Sequence, residues 1–213
     1  MKRGIIFDMD GTLWDSAENV AASWNLALEQ SGFDARVTTE DMYNVMGLTM
    51  DDIADRLFPF VEGTEREELL EACCIMENDY LAKHGGNIYP NLEQTMWRLL
   101  DMDYELYIVS NCQAGYIEAF LKYYNLEDIF SDFTCFGANK LKKAENIREI
   151  FVRNELEAAV YVGDIQGDAD STHAAGLPFI HAAYGFGEVS DCEGKINSLD
   201  ELPDVVDSIF DMF

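Results

Sequence analysis

Asp8 and Asp10 stand two residues apart at the end of a short apolar run, Gly4-Ile5-Ile6-Phe7, and Gly11-Thr12-Leu13 follows at once. An apolar run that stops at two acids reads as a buried strand opening into a polar loop. In extended backbone, side chains at i and i+2 share a face. Two carboxylates on one face repel each other unless a cation or a shared proton relieves them. The chemistry on offer is therefore a metal site or an acid/base pair. An isolated Asp-x-Asp also suits an Asx-turn of solvated acids. The Gly-Thr that follows and the acids further along weigh against that here.

Other polar residues stand where apolar runs end. Ser110-Asn111 closes the run Glu105–Val109. Asp164, with Asp168 four residues later, follows Ala158–Val162 and Gly163. After Phe133–Phe136 comes a loop with Lys140, Lys142 and Lys143, three of the seven lysines in the chain. Alone, each has an ordinary reading: a turn, a helix cap, a solvated loop. Together they matter more, because ligands in open α/β sheets sit at the carboxyl ends of the strands. Asp8, Asp164 and Asp168 would surround one point with negative charge. A phosphate dianion at ~4 Å is repelled by about 4 kcal/mol per charge pair at an effective dielectric of 20. A Mg²⁺ ion and a lysine turn that repulsion into binding, and oxygen-only ligands suit Mg²⁺ better than zinc. His173 falls inside a predicted helix and reads as structural.

The elements that must position these groups are legible from periodicity. Val20, Trp24 and Leu28 mark a helix ended by Gly32. Thr38 with Asp41, and Thr49 with Asp52, carry cap spacings, and Gly47 breaks the chain between them. Thr64 with Glu67 is expected to open a longer helix with the stripe Leu69, Cys73, Met76 and Tyr80, running to Gly85-Gly86. Residues 17–84 thus form a helical block without strand signal. Helices over 91–102, 113–124, 145–154 and 169–175 then alternate with strands at 105–109, 133–136, 158–162 and 178–182. This pattern implies a parallel sheet built from right-handed crossovers. The expected fold is α/β, a Rossmann-like parallel sheet with helices on both faces and an all-helical cap inserted after the first strand. The core takes residues 1–15 and 88–213, the cap 16–87. The tail from Asp200 to Phe213 reads as an amphipathic helix packing on the sheet.

At 213 residues and 48% apolar, the chain can bury a real core. Its formal net charge of −27 argues against nucleic acid or anionic membranes as partners. It does not argue against a small phosphorylated metabolite, whose binding depends on local charge. The apolar run after Lys2-Arg3 stops at Asp8, too soon for a secretory signal, and nothing approaches the ~20 apolar residues of a membrane helix. Five cysteines without zinc-type spacing, the Cys73-Cys74 pair among them, predict free thiols in a reducing cytoplasm. Oligomeric state is not readable.

With these residues in view, the chain resembles the haloacid dehalogenase superfamily, in its phosphoglycolate-phosphatase-like form with a helical cap after the first motif. Asp8 through Leu13 match D-x-D-G-T-L in full, Ser110 matches the serine or threonine ending the second strand, and Gly163, Asp164 and Asp168 match G-D-x-x-x-D. Lys143 best matches the motif lysine, although the proline that often follows is absent; Lys142 and Lys140 stay open as alternatives.

The resemblance implies a Mg²⁺-dependent phosphatase. Asp8 is the expected nucleophile, and Asp10 the acid and base, with its carbonyl on the metal. Asp164 is an expected metal ligand, and Asp168 a ligand or a partner to metal-bound water. Ser110, Asn111 and Lys143 are expected on the phosphate. The cap is expected to hinge near residues 14–18 and 83–89. In resembling proteins a cap loop enters the site, and Met46-Gly47-Leu48 holds that place here; a plain interhelical turn is the alternative. A dehalogenase does not need Asp10, since halide leaves without a proton. A β-phosphoglucomutase-like phosphotransferase uses the same core motifs. A receiver-like signalling domain lacks the inserted block.

Overall fold

The computed structural model describes residues 1–211. Six parallel strands form its central sheet: β1 (Arg3–Phe7), β4 (Tyr104–Ser110), β5 (Asp132–Cys135), β6 (Ala158–Gly163), β7 (Phe179–Ala182) and β8 (Gly194–Ile196). Their order is β5-β4-β1-β6-β7-β8. The order reverses at β1, which pairs with β4 on one side and β6 on the other. Strands buried on both faces are nearly continuous in apolar residues, as Ile5-Ile6-Phe7 and Val160-Tyr161-Val162 are.

Helices cover both faces. Packing on one face are α5 (Leu92–Asp101), α6 (Tyr116–Tyr124) and α10 (Leu202–Phe210), through Met96, Ile117 and Val206. On the other lie α8 (Lys143–Arg153) and α9 (Gln166–Ala175), through Ile147, Ile150 and Ala169. The short α7 (Phe136–Asn139) follows β5. The strand expected to run through Phe136 therefore stops one residue earlier, where Gly137 N–H turns to bond the Cys112 carbonyl at 3.0 Å. The tail helix is shorter than expected. It starts after a 3₁₀ turn over Leu199–Glu201, and residues 212–213 lie outside the described range.

Between β1 and β4 the chain makes an excursion of four helices: α1 (Ala17–Gln30), α2 (Thr39–Tyr43), α3 (Met50–Leu57) and α4 (Gly63–His84). Gly32 takes φ 81° just past α1, a left-handed turn that suits glycine. Thr38 and Asp41 form a reciprocal capping box on α2, and Thr49 Oγ1 donates to Asp52 at 2.7 Å ahead of α3. The cap expected at Thr64 is not formed; α4 begins at Gly63 behind Glu62. Two short strands, β2 (Trp14–Asp15) and β3 (Asn87–Ile88), pair antiparallel where the chain enters and leaves this excursion. Two-residue strands carry no periodicity, so they left no trace in the sequence. Trp14 is wholly buried at this crossing, edge-on to Tyr116 and Phe120 at ring-centre distances of 5.4 and 4.9 Å.

The buried stripe of α4 is Leu69, Cys73, Glu77 and Leu81, rather than the expected Leu69, Cys73, Met76 and Tyr80. Spacing of four carries the stripe through an acid. The indole Nε1 of Trp24 on α1 donates to Glu77 Oε2 at 2.5 Å, and Trp24 itself stacks on Phe58. Burial pushes the Glu77 carboxyl up to about 7, against the lowering effect of bonds from Trp24 and Gln113. Between its ordinary 4.5 and about 7, the folded chain holds this proton more tightly than the unfolded chain. Its contribution to stability must therefore fall as pH rises through that window. Glu77→Gln should gain on the wild type by about 2 kcal/mol between pH 5 and pH 8 in denaturant unfolding. A difference independent of pH would contradict the buried charge.

Candidate active site

The order reversal at β1 brings its carboxyl end between those of β4 and β6, and the polar residues gather there. Asp8 continues the register of β1, its N–H donating to the Val162 carbonyl at 2.9 Å. The chain then turns sharply. The N–H groups of Thr12 and Leu13 both reach back to the Met9 carbonyl, at 3.1 and 2.8 Å. Gly11 sits in this turn at φ 81°, and a Cβ there would overlap the Asp164 carboxylate. The glycine of the D-x-D-G-T-L run is thus required twice, for its backbone angle and for the approach of Asp164.

Lys143, in the first turn of α8, is the lysine that enters the site. Its Nζ donates to Asp8 Oδ1 at 2.9 Å and to Asp168 Oδ1 at 2.5 Å, with all three side chains buried. Lys142 is the exposed residue capping α8, and Lys140 is exposed and lies over the Phe136 ring. Asp168 is engaged on both oxygens, since its Oδ2 accepts the N–H groups of Asp164 and Ile165 at 3.2 and 3.3 Å. Asp164 is not. Its Oδ2 accepts the Phe186 N–H at 2.7 Å, while Oδ1 is buried without a hydrogen-bond partner. An orphaned buried carboxylate oxygen is costly unless something positive meets it.

Carboxylate oxygens of Asp8, Asp164 and Asp168 lie within 4.8 Å of one another. One buried ammonium faces three buried carboxylates, which leaves two negative charges uncompensated if all ionise. Burial, followed by the charge on Asp168, pushes Asp8 up to about 7 despite Lys143. Burial, then Asp168 and Asp8, pushes Asp164 up to about 8. Burial works against the Lys143 ammonium, but Asp168 and Asp8 outweigh it and hold its pKa well above the usual range. A hard divalent cation fits this donor set in charge and in ligand type. Asp8 and Asp164 are the side chains with an oxygen to give it.

Asp10 stands apart from this cluster. Its Oδ1 accepts from Ser16 Oγ at 2.7 Å and from Tyr116 OH at 2.6 Å. Burial raises the Asp10 carboxyl to about 6, and these two hydrogen bonds keep it from rising further. Neither Ser16 nor Tyr116 was singled out in the sequence. Ser16 is the residue directly before α1, and Tyr116 joins Asp10 only because β1 and β4 are neighbours.

Ser110 is buried at the end of β4, and its Oγ accepts the Cys112 N–H at 3.4 Å. Asn111 turns its side chain toward the helical excursion, where Nδ2 donates to the Gly47 carbonyl at 2.8 Å. Gly47 holds φ 86°, and a Cβ on it would press on Ile165 at 2.5 Å. The turn at 46–48 therefore rests on the loops after β4 and β6. Beside it a cavity of about 40 Å³ opens among Asp10, Ser110, Gly47, Glu77, Gln113 and Trp24.

Gly11→Ala should cost about 1–3 kcal/mol in unfolding free energy, because strained backbone and a displaced acid add together. Wild-type stability in this variant would show that the turn has room for a side chain.

Comparison with known proteins agrees with the geometry. The model of the haloacid dehalogenase-like hydrolase family matches residues 5–182. A phosphoglycolate phosphatase of Aliivibrio fischeri is 27% identical over 220 residues, covering 97% of this chain and 92% of its own. Another from Yersinia pestis is 24% identical over 192 residues, covering 86% of this chain and 82% of its own. Among solved structures, a predicted phosphoglycolate phosphatase from Haemophilus somnus superposes with a TM-score of 0.84 at 19% identity, over 96% of this chain and 98% of its own. CbbY of Rhodobacter sphaeroides, in complex with xylulose-(1,5)bisphosphate, gives 0.82 at 16% identity, over 95% and 96%. Since the family model covers most of the sequence, from the first strand through the fifth strand of the sheet, the chain belongs to the haloacid dehalogenase-like hydrolases.

Proposed function

We propose that the protein is a Mg²⁺-dependent phosphatase that hydrolyses a small phosphomonoester through an aspartyl-phosphate on Asp8. The observation that carries this reading is the buried cluster in which Lys143 bonds Asp8 and Asp168 while Asp164 Oδ1 is left unpaired. The phosphatases among the relatives, and the bisphosphate bound to CbbY, support the same substrate class.

The chain's own groups divide the work. A carboxylate oxygen of Asp8 attacks phosphorus, and the bond from phosphorus to the leaving oxygen breaks. Asp10, positioned by Ser16 and Tyr116, gives that oxygen its proton. The ionised Asp10 then takes a proton from water as the water attacks the phosphorus on Asp8, releasing phosphate and restoring the carboxylate. Lys143, Ser110 and the backbone N–H at Asn111 attend the phosphoryl oxygens, where preorganised donors act on the redistributing charge. Asp8, Asp164 and the Asp10 carbonyl would hold Mg²⁺, which would supply the positive charge that lets a carboxylate approach a phosphate dianion. Asp168 serves chiefly by fixing Lys143 and the backbone at Asp164.

Residues 16–87 act as a cap over a core of residues 1–15 and 88–213. The cap excludes stray water and meets the leaving group through the turn at Gly47. No helix among the described residues is long and apolar enough to cross a membrane.

Asp8→Asn should reduce turnover of p-nitrophenyl phosphate by at least about 10⁴-fold while circular dichroism stays unchanged. Lys143→Ala should lose about 10²–10³-fold, with Lys142→Ala close to wild type. Excess chelator should stop the reaction and added Mg²⁺ restore it. Full activity in Asp8→Asn, or in chelator, would overturn the mechanism.

A further inference from the structure

The cavity beside Asp10 is where the leaving group must lie, if Asp10 is the acid that protonates it. Most of its wall is apolar, built from Val20, Trp24, Met42, Val45, Leu48 and Ile53. None of its lining residues is a lysine, an arginine or a histidine. Besides Asp10, Ser110, Asn111 and Tyr116, its polar wall comes from Glu77 of α4 and from Gln113, in the loop between β4 and α6.

Both groups are fixed in their roles by their neighbours. Asn78 Nδ2 donates to the Ala114 carbonyl at 2.8 Å, so Asn78 Oδ1 is an acceptor. It takes the Gln113 amide Nε2–H at 3.0 Å. This orients the Gln113 amide, whose Oε1 is left buried and without a hydrogen-bond partner. Gln113 is only 7% exposed, so that orphan acceptor is not met by bulk solvent. Glu77, 4% exposed, has its Oε2 held by the Trp24 indole N–H. A buried carboxyl and a buried amide oxygen thus line the same small cavity as Asp10, and no cation balances them there.

We infer that Glu77 and Gln113 read the leaving group, selecting a phosphomonoester that brings hydrogen-bond donors, hydroxyl or ammonium, and rejecting one that ends in a carboxylate. The inference rests on the phosphatase reading above and narrows its substrate class. A donor entering this cavity satisfies the Gln113 oxygen and meets the charge on Glu77. A carboxylate offers acceptors only, leaves Gln113 unpaired and adds charge beside Glu77 and Asp10. Sites built around buried polar groups discriminate strongly against analogues that cannot pair with them. Phosphoglycolate, the substrate named for the relatives, ends in such a carboxylate.

The test compares kcat/KM of the full chain with Mg²⁺ for p-nitrophenyl phosphate, glycerol 3-phosphate, phosphoethanolamine and 2-phosphoglycolate. Turnover of p-nitrophenyl phosphate establishes the phosphatase chemistry independently, so its failure is the failure of that reading alone. Given that turnover, glycerol 3-phosphate or phosphoethanolamine should exceed 2-phosphoglycolate by at least about tenfold. Which of the two leads tells hydroxyl from ammonium. Equal rates, or a preference for 2-phosphoglycolate, would overturn the inference. Glu77→Gln keeps an acceptor for Trp24 but removes the charge, and should shrink the preference severalfold. Gln113→Met removes the orphan acceptor and should do the same; it serves where Glu77→Gln does not fold. A preference unchanged in the folded variants would remove these two residues from substrate selection.

Discussion

Among the described residues, Lys143 is the only lysine or arginine side chain buried among three carboxylates at the carboxyl end of the sheet, and the arrangement around it depends on that charge. Without it, the buried Asp8 and Asp168 would face each other unpaired, where like charges cannot both persist. With it, the cluster still carries more negative than positive charge. That residual charge suits a doubly positive ion. Removing one partner of such a pair costs far more than the pair contributes, because the other charge stays buried. The neighbouring geometry is organised to keep each partner in place. Asp168 accepts two backbone N–H groups, Gly163 leaves no side chain to crowd it, and Gly11 yields space to Asp164.

The sheet sets where these groups meet. Ile5, Ile6 and Phe7 are wholly buried, so β1 must lie inside the sheet, and an interior strand has a neighbour on either side. The reversal of strand order there puts the loops after β4 and β6 on opposite sides of Asp8. The helical excursion leaves from the same edge, so its own turns land on those loops rather than on the far end of the sheet.

The sheet core was legible in the sequence because buried parallel strands are short apolar runs with sharp polar ends. So were Asp8, Asp10, Asp164, Asp168 and Ser110 as candidates, since each stands at such an end. Lys143 was preferred to Lys142 and Lys140 only through the family resemblance; what distinguishes the three physically is burial, which their spacing does not encode. Tyr116 and Ser16 escaped notice because their importance is a tertiary contact with Asp10, not a local spacing. Glu77 was hidden by a sound rule: charged residues rarely sit on a buried stripe. Met76 looked the better choice one position away, and only Trp24, fifty-three residues earlier, explains the acid. The β2–β3 pair was too short to leave a period, and β8 is three residues long.

Ser16 is the residue directly before α1, the first helix of the excursion, and its hydroxyl also holds the Asp10 carboxylate. The hydroxyl lies 2.7 Å from that of Tyr116, the other donor to Asp10, which belongs to the sheet side of the molecule. A rotation of the helices about the Trp14–Asp15 and Asn87–Ile88 pair would therefore tug on one of the two bonds that position the acid, while the other stayed anchored. In the proposed reaction, the group that would handle the proton is thus tied to the element that would enclose the leaving group, so its alignment would register whether that enclosure is in place.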